Sequence, residues 1–235
     1  MFRLCPGHER ASIQRRALLM GGFAGMISRA FLPLAHAATT IVVPTAAANR
    51  RFSVLYKGKR IGTHTVSYSS ATGETRVNTE IHLDVKVALL TLYAFSHRSE
   101  EIWRAGRLTS MNSETVEHGQ PLHVEGAATP QGFRVVGKGG PFIASAATLT
   151  SNSLWTPAML EETTVVDAQR GGIIGVSARK FADELIAIAG GQVQATRYTF
   201  ITPYYAGSVW YDKSKLWVRA EFERDGLKVQ YQLDM

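Results

Sequence analysis

The segment Arg76–Val87, RVNTEIHLDVKV, decides the fold class. Val77, Thr79, Ile81, Leu83 and Val85 alternate with Arg76, Asn78, Glu80, His82, Asp84 and Lys86. A period of two puts the first set on one side of a β-strand and the second on the other. On a helix, at 3.6 residues per turn, both sets would scatter around the circumference. One dry and one wet face is the signature of antiparallel sheet.

Working outward, turn residues recur at short intervals between strand-like runs. They are Lys57-Gly58-Lys59, Thr72-Gly73, Ala105-Gly106, His118-Gly119, Gln131-Gly132, Gly139-Gly140, Arg170-Gly171-Gly172, Gly190-Gly191, Asp212 to Lys215 and Asp225-Gly226. So many tight reversals predict an antiparallel meander. The closing runs SVWYD, LWVRAEFER and LKVQYQL read as three successive strands, the last two joined by Asp225-Gly226.

Two stretches break the period. In SLWTPAMLEE, Thr156 is placed to cap a short helix with Pro157 in its first turn. ARKFADELIAI (178–188) suits a helical turn or a strand nearly equally. The expected architecture is therefore mainly β: an antiparallel meander forming a curved sheet or open barrel, with one or two short helices.

The chain has 235 residues, and the first 37 read as an export leader. Arg15-Arg16 precede a modest apolar run, Ala17–Ile27, and Ala35-His36-Ala37 is a small-x-small cleavage site. An arginine pair before such a run marks the twin-arginine route, and Arg29 behind it disfavours the general secretory one. The run is far shorter than the ~20 residues that cross a bilayer, so no permanent membrane anchor is expected. Residues 38–50 are small and weakly patterned and read as a flexible lead-in. Residues 51–235 read as a single β-rich domain. The expected location is the periplasm, soluble after cleavage, with the twin-arginine translocase and signal peptidase as processing partners.

Charge and cysteine bound the chemistry. Lys and Arg number 26 against 19 Asp and Glu, a formal +7; without the leader's five arginines and one glutamate the excess falls to +3. That surplus is ordinary and gives no ground for a nucleic-acid partner. The only cysteine, Cys5, lies in the leader. The mature chain therefore offers neither a disulfide nor a thiol nucleophile.

Catalytic signatures are sparse. Ser177-Ala-Arg-Lys180 matches Ser-x-x-Lys in letters only. His118 and His123 bracket the turn HGQP and would have to meet across a hairpin to hold a metal; no metal or cofactor is expected. FSHRSEEIWRAGRL is the densest charged segment, with His97 and Glu101 on one strand face and Arg98 and Glu100 on the other. His97 and Glu101 are the only catalytic candidates, as an acid–base pair. Cross-strand pairing on a solvated sheet face explains the same residues.

VALLTLYAF (Val87–Phe95) is nearly all apolar, so both its faces avoid water. Such an element is covered on both sides, lines a hydrophobic cavity or rests on a membrane. A cavity reading takes Leu89, Leu90, Leu92, Tyr93, Phe95, Trp103, Trp155, Tyr204, Tyr205 and Trp210 as its walls; plain core packing is the alternative.

FSVLYKGKRIGTHTVSY (52–68), SLWTPAML with VVDAQRGGIIGV (153–160 and 165–176), and VWYDKSKLWVRAEFERDGLKVQYQL (209–233) resemble an exported bacterial family known only as a domain of unknown function. The resemblance spans nearly all of the mature chain, rests on structural motifs and implies no catalytic residues. The sequence thus points to a non-enzymatic periplasmic protein binding an apolar ligand such as a lipid. The alternatives are an enzyme using the His97–Glu101 face and a module docking an envelope protein through a sheet edge.

Overall fold

The computed structural model describes residues 41–235 except 46–47, 88–89, 225 and 235, with the backbone alone at 86–87, 90–92 and 224. Residues 1–37, with the Arg15, Arg16, Ala35 and Ala37 read as marks of an export leader, lie outside the described residues. No described helix is long and apolar enough to cross a membrane.

Eight strands follow one another first: β1 (Arg50–Tyr56), β2 (Lys59–Ala71), β3 (Glu74–Val87), β4 (Leu90–Arg104), β5 (Arg107–Glu117), β6 (Gln120–Thr129), β7 (Gly132–Gly137) and β8 (Gly140–Ala144). A segment spanning 145–176 comes next, carrying 3-10 turns at Ser153–Trp155 and Pro157–Glu161 and the small hairpin β9 (Thr164–Val166) and β10 (Ile173–Gly175). Five strands close the chain: β11 (Ser177–Ile188), β12 (Gly191–Ile201), β13 (Ala206–Asp212), β14 (Trp217–Arg224) and β15 (Leu227–Leu233). Thr156 caps the second 3-10 turn through its Oγ1, which accepts from the Ala158 amide. The ambiguous run 178–188 is strand, lying in β11.

The large sheet has thirteen strands in the order β11-β12-β13-β14-β15-β1-β2-β3-β4-β5-β6-β7-β8. Two meanders are thus joined where the last strand pairs the first, Val54 opposite Tyr231. The sheet does not close, and β8 and β11 are its two edges.

Turn chemistry explains the meander. Lys57/Gly58, Thr72/Gly73, Ala105/Gly106 and His118/Gly119 all have positive φ at both positions. This is the type I′ turn, whose twist matches that of the flanking strands. The apolar run Val87–Phe95 is not one element: β3 ends at Val87 and β4 starts at Leu90, so the chain reverses inside it. Leu89 lies outside the described residues.

The alternation in β3 holds. Val77, Thr79 and Val85 are buried, while Arg76, Glu80 and His82 are exposed. Facing them is the segment 145–176, which packs on the inner side. Trp155 meets the rings of Tyr68 on β2 and Trp103 on β4 edge to face, at 6.0 and 5.5 Å. Tyr211 on β13 donates its hydroxyl proton to the Leu154 carbonyl at 2.7 Å. Strands eleven places apart in chain order touch one short segment, so the sheet curls around it. Leu149, Leu154, Trp155, Met159, Leu160, Val165, Val166 and Ala168 join the core there. Each buried tryptophan contributes roughly 4–6 kcal/mol of transfer free energy.

The lead-in is also tied down where a loose stretch was expected. Ala48 is buried, and the Asn49 side-chain oxygen accepts from the Tyr68 amide at 2.8 Å. Ile41 and Val43 pack against the same core.

Candidate functional site

Two features stand out once the sheet is folded: a buried polar layer beneath the inner segment and a set of half-buried aromatic side chains.

The polar layer comes from the register. Thr79, Ser99 and Ser113 lie side by side across β3, β4 and β5, as do Ile81, His97 and Thr115. Their inward side chains meet Thr150, Ser151, Asn152 and Ser153 of the inner segment, all buried. Asn152 Nδ2 lies 3.0 Å from His97 Nε2 and donates to Ser99 Oγ at 2.7 Å. His97 Nε2 is therefore the acceptor, and Nδ1 carries the proton toward Thr115 Oγ1, 2.8 Å away. Glu101 accepts from Thr150 Oγ1 at 2.5 Å and from Trp103 Nε1 at 3.1 Å. Ser113 Oγ donates to the Ala168 carbonyl, and Ser151 Oγ accepts from the Ala168 amide at 3.0 Å.

Burial governs the proton affinities in this layer. Loss of water pushes the Glu101 carboxyl up to about 7, against the two hydrogen bonds that favour its charge. Burial holds the His97 imidazole down at about 4. His64 on β2 is lowered to about 3, first by burial and then by the nearby His97. Its ring sits against Trp217, Tyr231 and Phe52 at 5.1, 5.6 and 6.4 Å. Neither of its nitrogens has a hydrogen-bond partner among the described residues. Asp167 is also raised by burial, although the Gln169 amide and Arg170 oppose this.

His97 and Glu101 do share a face, but it is the inner one: they are 2% and 1% exposed. The solvated pairing expected for this segment belongs to its other face, where Arg98 meets Glu80 at 3.2 Å and Arg76 meets Glu100 at 3.3 Å. Chemically, the buried layer fastens the inner segment to β4 and β5, because each polar group in it would otherwise be desolvated without a partner.

The aromatic side chains form two groups of touching rings, one on β12, β14, β15 and the turn before β13, the other on β4. Tyr205 stands edge-on to Phe200 and Phe222 at 5.8 and 5.9 Å, and Phe222 stands edge-on to Tyr231 at 4.8 Å. Tyr93 stacks on Phe95 at 6.2 Å and meets the His118 ring at 5.1 Å. Burial pushes the Tyr231 phenol well up, with Tyr205 and Tyr93 adding to the effect. Phe200, Phe95 and Tyr231 are buried; Tyr93, Tyr205 and Phe222 are half-buried, as are Leu83 and Val229 beside them. This is apolar surface at the boundary with water.

Of the ten positions read as cavity walls, Leu89 lies outside the described residues and Leu90 and Leu92 are described by backbone alone; the other seven separate. Tyr93, Phe95 and Tyr205 belong to the two aromatic groups. Tyr204 is exposed, with the Arg170 guanidinium 4.5 Å over its ring. Trp103 and Trp155 are core, the inner segment's Trp155 packing edge to face on Trp103 of β4. Trp210 lies in a separate cluster with Ile186, Ala195 and Val218. The inner segment takes the space that a central cavity would need. A depression of about 220 Å³ beside Ser110, Asn112, Glu125 and Arg134 is open and falls below the ~300–1,000 Å³ usual for small-molecule sites.

The remaining candidates fall apart. Ser177 and Lys180 oppose Ile201 and Tyr198, which are three apart on β12, so they take opposite faces. His118 contacts Tyr93, whereas His123 pairs with Glu125 at 3.0 Å. Among the described residues no three metal-ligating side chains come together.

Alternation set Ser99 on the face of His97 and Glu101, but sequence reasoning missed the other partners that fill the layer: Thr150, Asn152, Ser113 and Thr115. Their one signal was a run of hydroxyl residues at inward positions of neighbouring strands.

A family model for a domain of unknown function, DUF6134, matches residues 52–234. The chain belongs to the DUF6134 family. The family's span runs from β1 to the end of β15 and so includes the polar layer, the inner segment and both aromatic groups. No curated protein matches. Among solved structures, the DUF6134 chain is similar to a β-barrel-like protein of another domain of unknown function, DUF1849, from Brucella abortus. The two share 9% identity at a TM-score of 0.57, over 79% of this chain and 94% of that one. The likeness is one of fold.

Proposed function

We propose that this DUF6134 chain is a non-enzymatic binding protein of the periplasm, delivered by the twin-arginine route, that takes an apolar ligand such as a lipid on its half-buried aromatic side chains. The observation that carries this reading is the half-buried aromatic surface of Tyr205 and Phe222, backed by Phe200 and Tyr231, with a second half-buried ring, Tyr93, stacked on Phe95. Inside the sheet the apolar side chains already have partners from the inner segment. Tyr93, Tyr205 and Phe222 are half-buried, and an acyl chain or ring laid over them would remove the remaining exposure at roughly 25 cal/mol per Å².

The enzymatic alternative would need the inner segment to leave the sheet, because Thr150 and Asn152 occupy the positions from which a substrate would reach Glu101 and His97. Binding is the more economical use of the same surface.

The test is titration of the purified protein with a fluorescent fatty acid. The wild type is expected to saturate, and Tyr205→Ala with Phe222→Ala to weaken binding by an order of magnitude or more at unchanged fold. Saturable binding that ignores both substitutions would move the site elsewhere. No binding by the wild type would count against an acyl ligand.

A further inference from the structure

We propose that β11 is a self-complementary edge through which two copies of this chain pair antiparallel, extending one sheet into the other. β11 is twelve residues long, ends the thirteen-strand order and is exposed at nearly every position. Among the described residues no strand lies beside its outer backbone edge, although the turn Pro157–Glu161 touches β11; a strand edge left without a partner templates pairing with another chain.

The argument rests on the order of residues around a bulge. In the ladder to β12, Lys180 opposes Tyr198 and Asp183 opposes Thr196, so three steps on β11 match two on β12. The extra residue changes which side chains share a face. Arg179 opposes Thr199 and Glu184 opposes Ala195, four apart on β12, so Arg179 and Glu184 lie on one face although five positions separate them. Lys180 and Asp183 share the other face, their partners being two apart. In a regular strand, residues an odd number apart would lie on opposite faces.

A two-fold axis between Phe181 and Ala182 then sets Arg179 opposite Glu184 of the second copy and Lys180 opposite its Asp183, each pair on a common face. The next pairs outward are Ala178 with Leu185 and Ser177 with Ile186. Leu185 is 65% exposed in the single chain, and the ladder would cover it. Arg179 and Lys180 lie over the rings of Phe181 and Tyr198, at 4.9 and 5.9 Å, and among the described residues neither has a carboxylate partner. An edge guarded against association carries like charges, which repel a second copy. Here basic precedes acidic: Asp183 accepts from Thr196 Oγ1 and Glu184 from Trp210 Nε1, with Arg197 3.8 Å from Glu184, yet both carboxylates stay exposed, so opposed copies attract.

A ten-residue ladder is small beside the interfaces of permanent dimers, so association is concentration-dependent. The test uses two variants. Arg179→Glu with Lys180→Glu makes the edge wholly acidic, and Asp183→Lys with Glu184→Lys makes it wholly basic. By sedimentation over roughly 1–500 µM, the range where small interfaces associate, the wild type is expected to double its mass. Each variant alone is expected to stay single, and their mixture to form a one-to-one dimer. Circular dichroism checks that both fold. Amide exchange of β11 in the wild type, slowing as concentration rises, gives a readout that no substitution disturbs. A wild type that stays single throughout, a dimer that survives in either variant alone, or variants that fail to pair with each other would overturn the proposal. So would β11 amides indifferent to concentration.

Discussion

Asn152 Nδ2 lies 3.0 Å from His97 Nε2, and this contact pins the inner segment to β4. It also fixes the imidazole as the Nδ1–H tautomer, because the second ring nitrogen faces Thr115. Replacing Asn152 with Ala leaves His97 and Ser99 buried without that partner, at a cost of about 1–3 kcal/mol. Chemical denaturation is expected to show this as a lower midpoint. Asn152→Asp should be worse at neutral pH, since a buried carboxylate replaces the amide group that donates to His97 and Ser99. An unchanged midpoint in both would mean that the layer does not hold the segment.

The layer also sets the pH dependence. His64 and His97, at about 3 and 4, bind protons in the unfolded chain that the folded chain refuses, so each destabilises the fold as pH drops below about 6.5. Glu101, at about 7, does the reverse: its folded form holds a proton that the unfolded chain loses above about 4.5. Between about 4.5 and 6.5 the two histidines outweigh Glu101, and the raised Asp167 offsets part of their effect, so stability falls toward acid by at most about 1.4 kcal/mol per pH unit. Stability should peak near pH 6.5. Thermal melts across pH 4.5–8 check the sign, and a stability that rises toward acid would refute it.

Glu101→Gln separates the terms. The amide oxygen still accepts from Trp103, and the Thr150 hydroxyl rotates to accept from the amide nitrogen. Above pH 7 the variant escapes a buried charge and should gain roughly 1–3 kcal/mol, while its acid slope about doubles. A loss of stability at pH 8 would mean that the carboxylate is better satisfied than its partners indicate.

How much of this was legible in the chain follows from the range of each interaction. Gly58, Gly73, Gly106 and Gly119 announced their turns because a type I′ reversal is decided by two residues. Thr79 was already on the dry face of its strand, since alternation is local as well. The reversal near 88–89 went unseen, as VALLTLYAF holds no Gly, Pro, Asn or Asp to mark it. The fate of 145–176 was equally hidden. Trp155 is core only because Tyr68 and Trp103, far away in sequence, come to meet it. His97 and Glu101 were correctly set on one face, but which face of β4 lies inward depends on the whole sheet.

His64→Leu is expected to stabilise the protein. Both ring nitrogens are buried among Phe52, Trp217 and Tyr231 without a partner, and an apolar side chain removes that desolvation, worth about 1–3 kcal/mol. It should also flatten the slope between pH 4.5 and 6.5, leaving His97 against Glu101. A destabilised variant with an unchanged slope would show that His64 is not the orphan described.

The close approach of Gly137 and Gly171 gives a prediction for the other end of the inner segment. A Cβ on Gly137 would stand 2.6 Å from the Arg170 carbonyl oxygen and the Gly171 Cα. Gly137→Ala should therefore push the segment off β7, break the bond from the Lys138 amide to the Arg170 carbonyl, and cost about 1–3 kcal/mol. Proteolysis within 160–175 is the measurement: faster cutting than in the wild type is expected, and an identical pattern would mean that the backbones yield without strain.

The most direct test of the binding account is native mass spectrometry of the protein purified gently from the cells that make it, followed by solvent extraction. The account predicts a stoichiometric apolar adduct in the wild type that is lost from a folded Tyr205→Ala, Phe222→Ala variant. A bare polypeptide mass in the wild type, with nothing apolar in the extract, would contradict it.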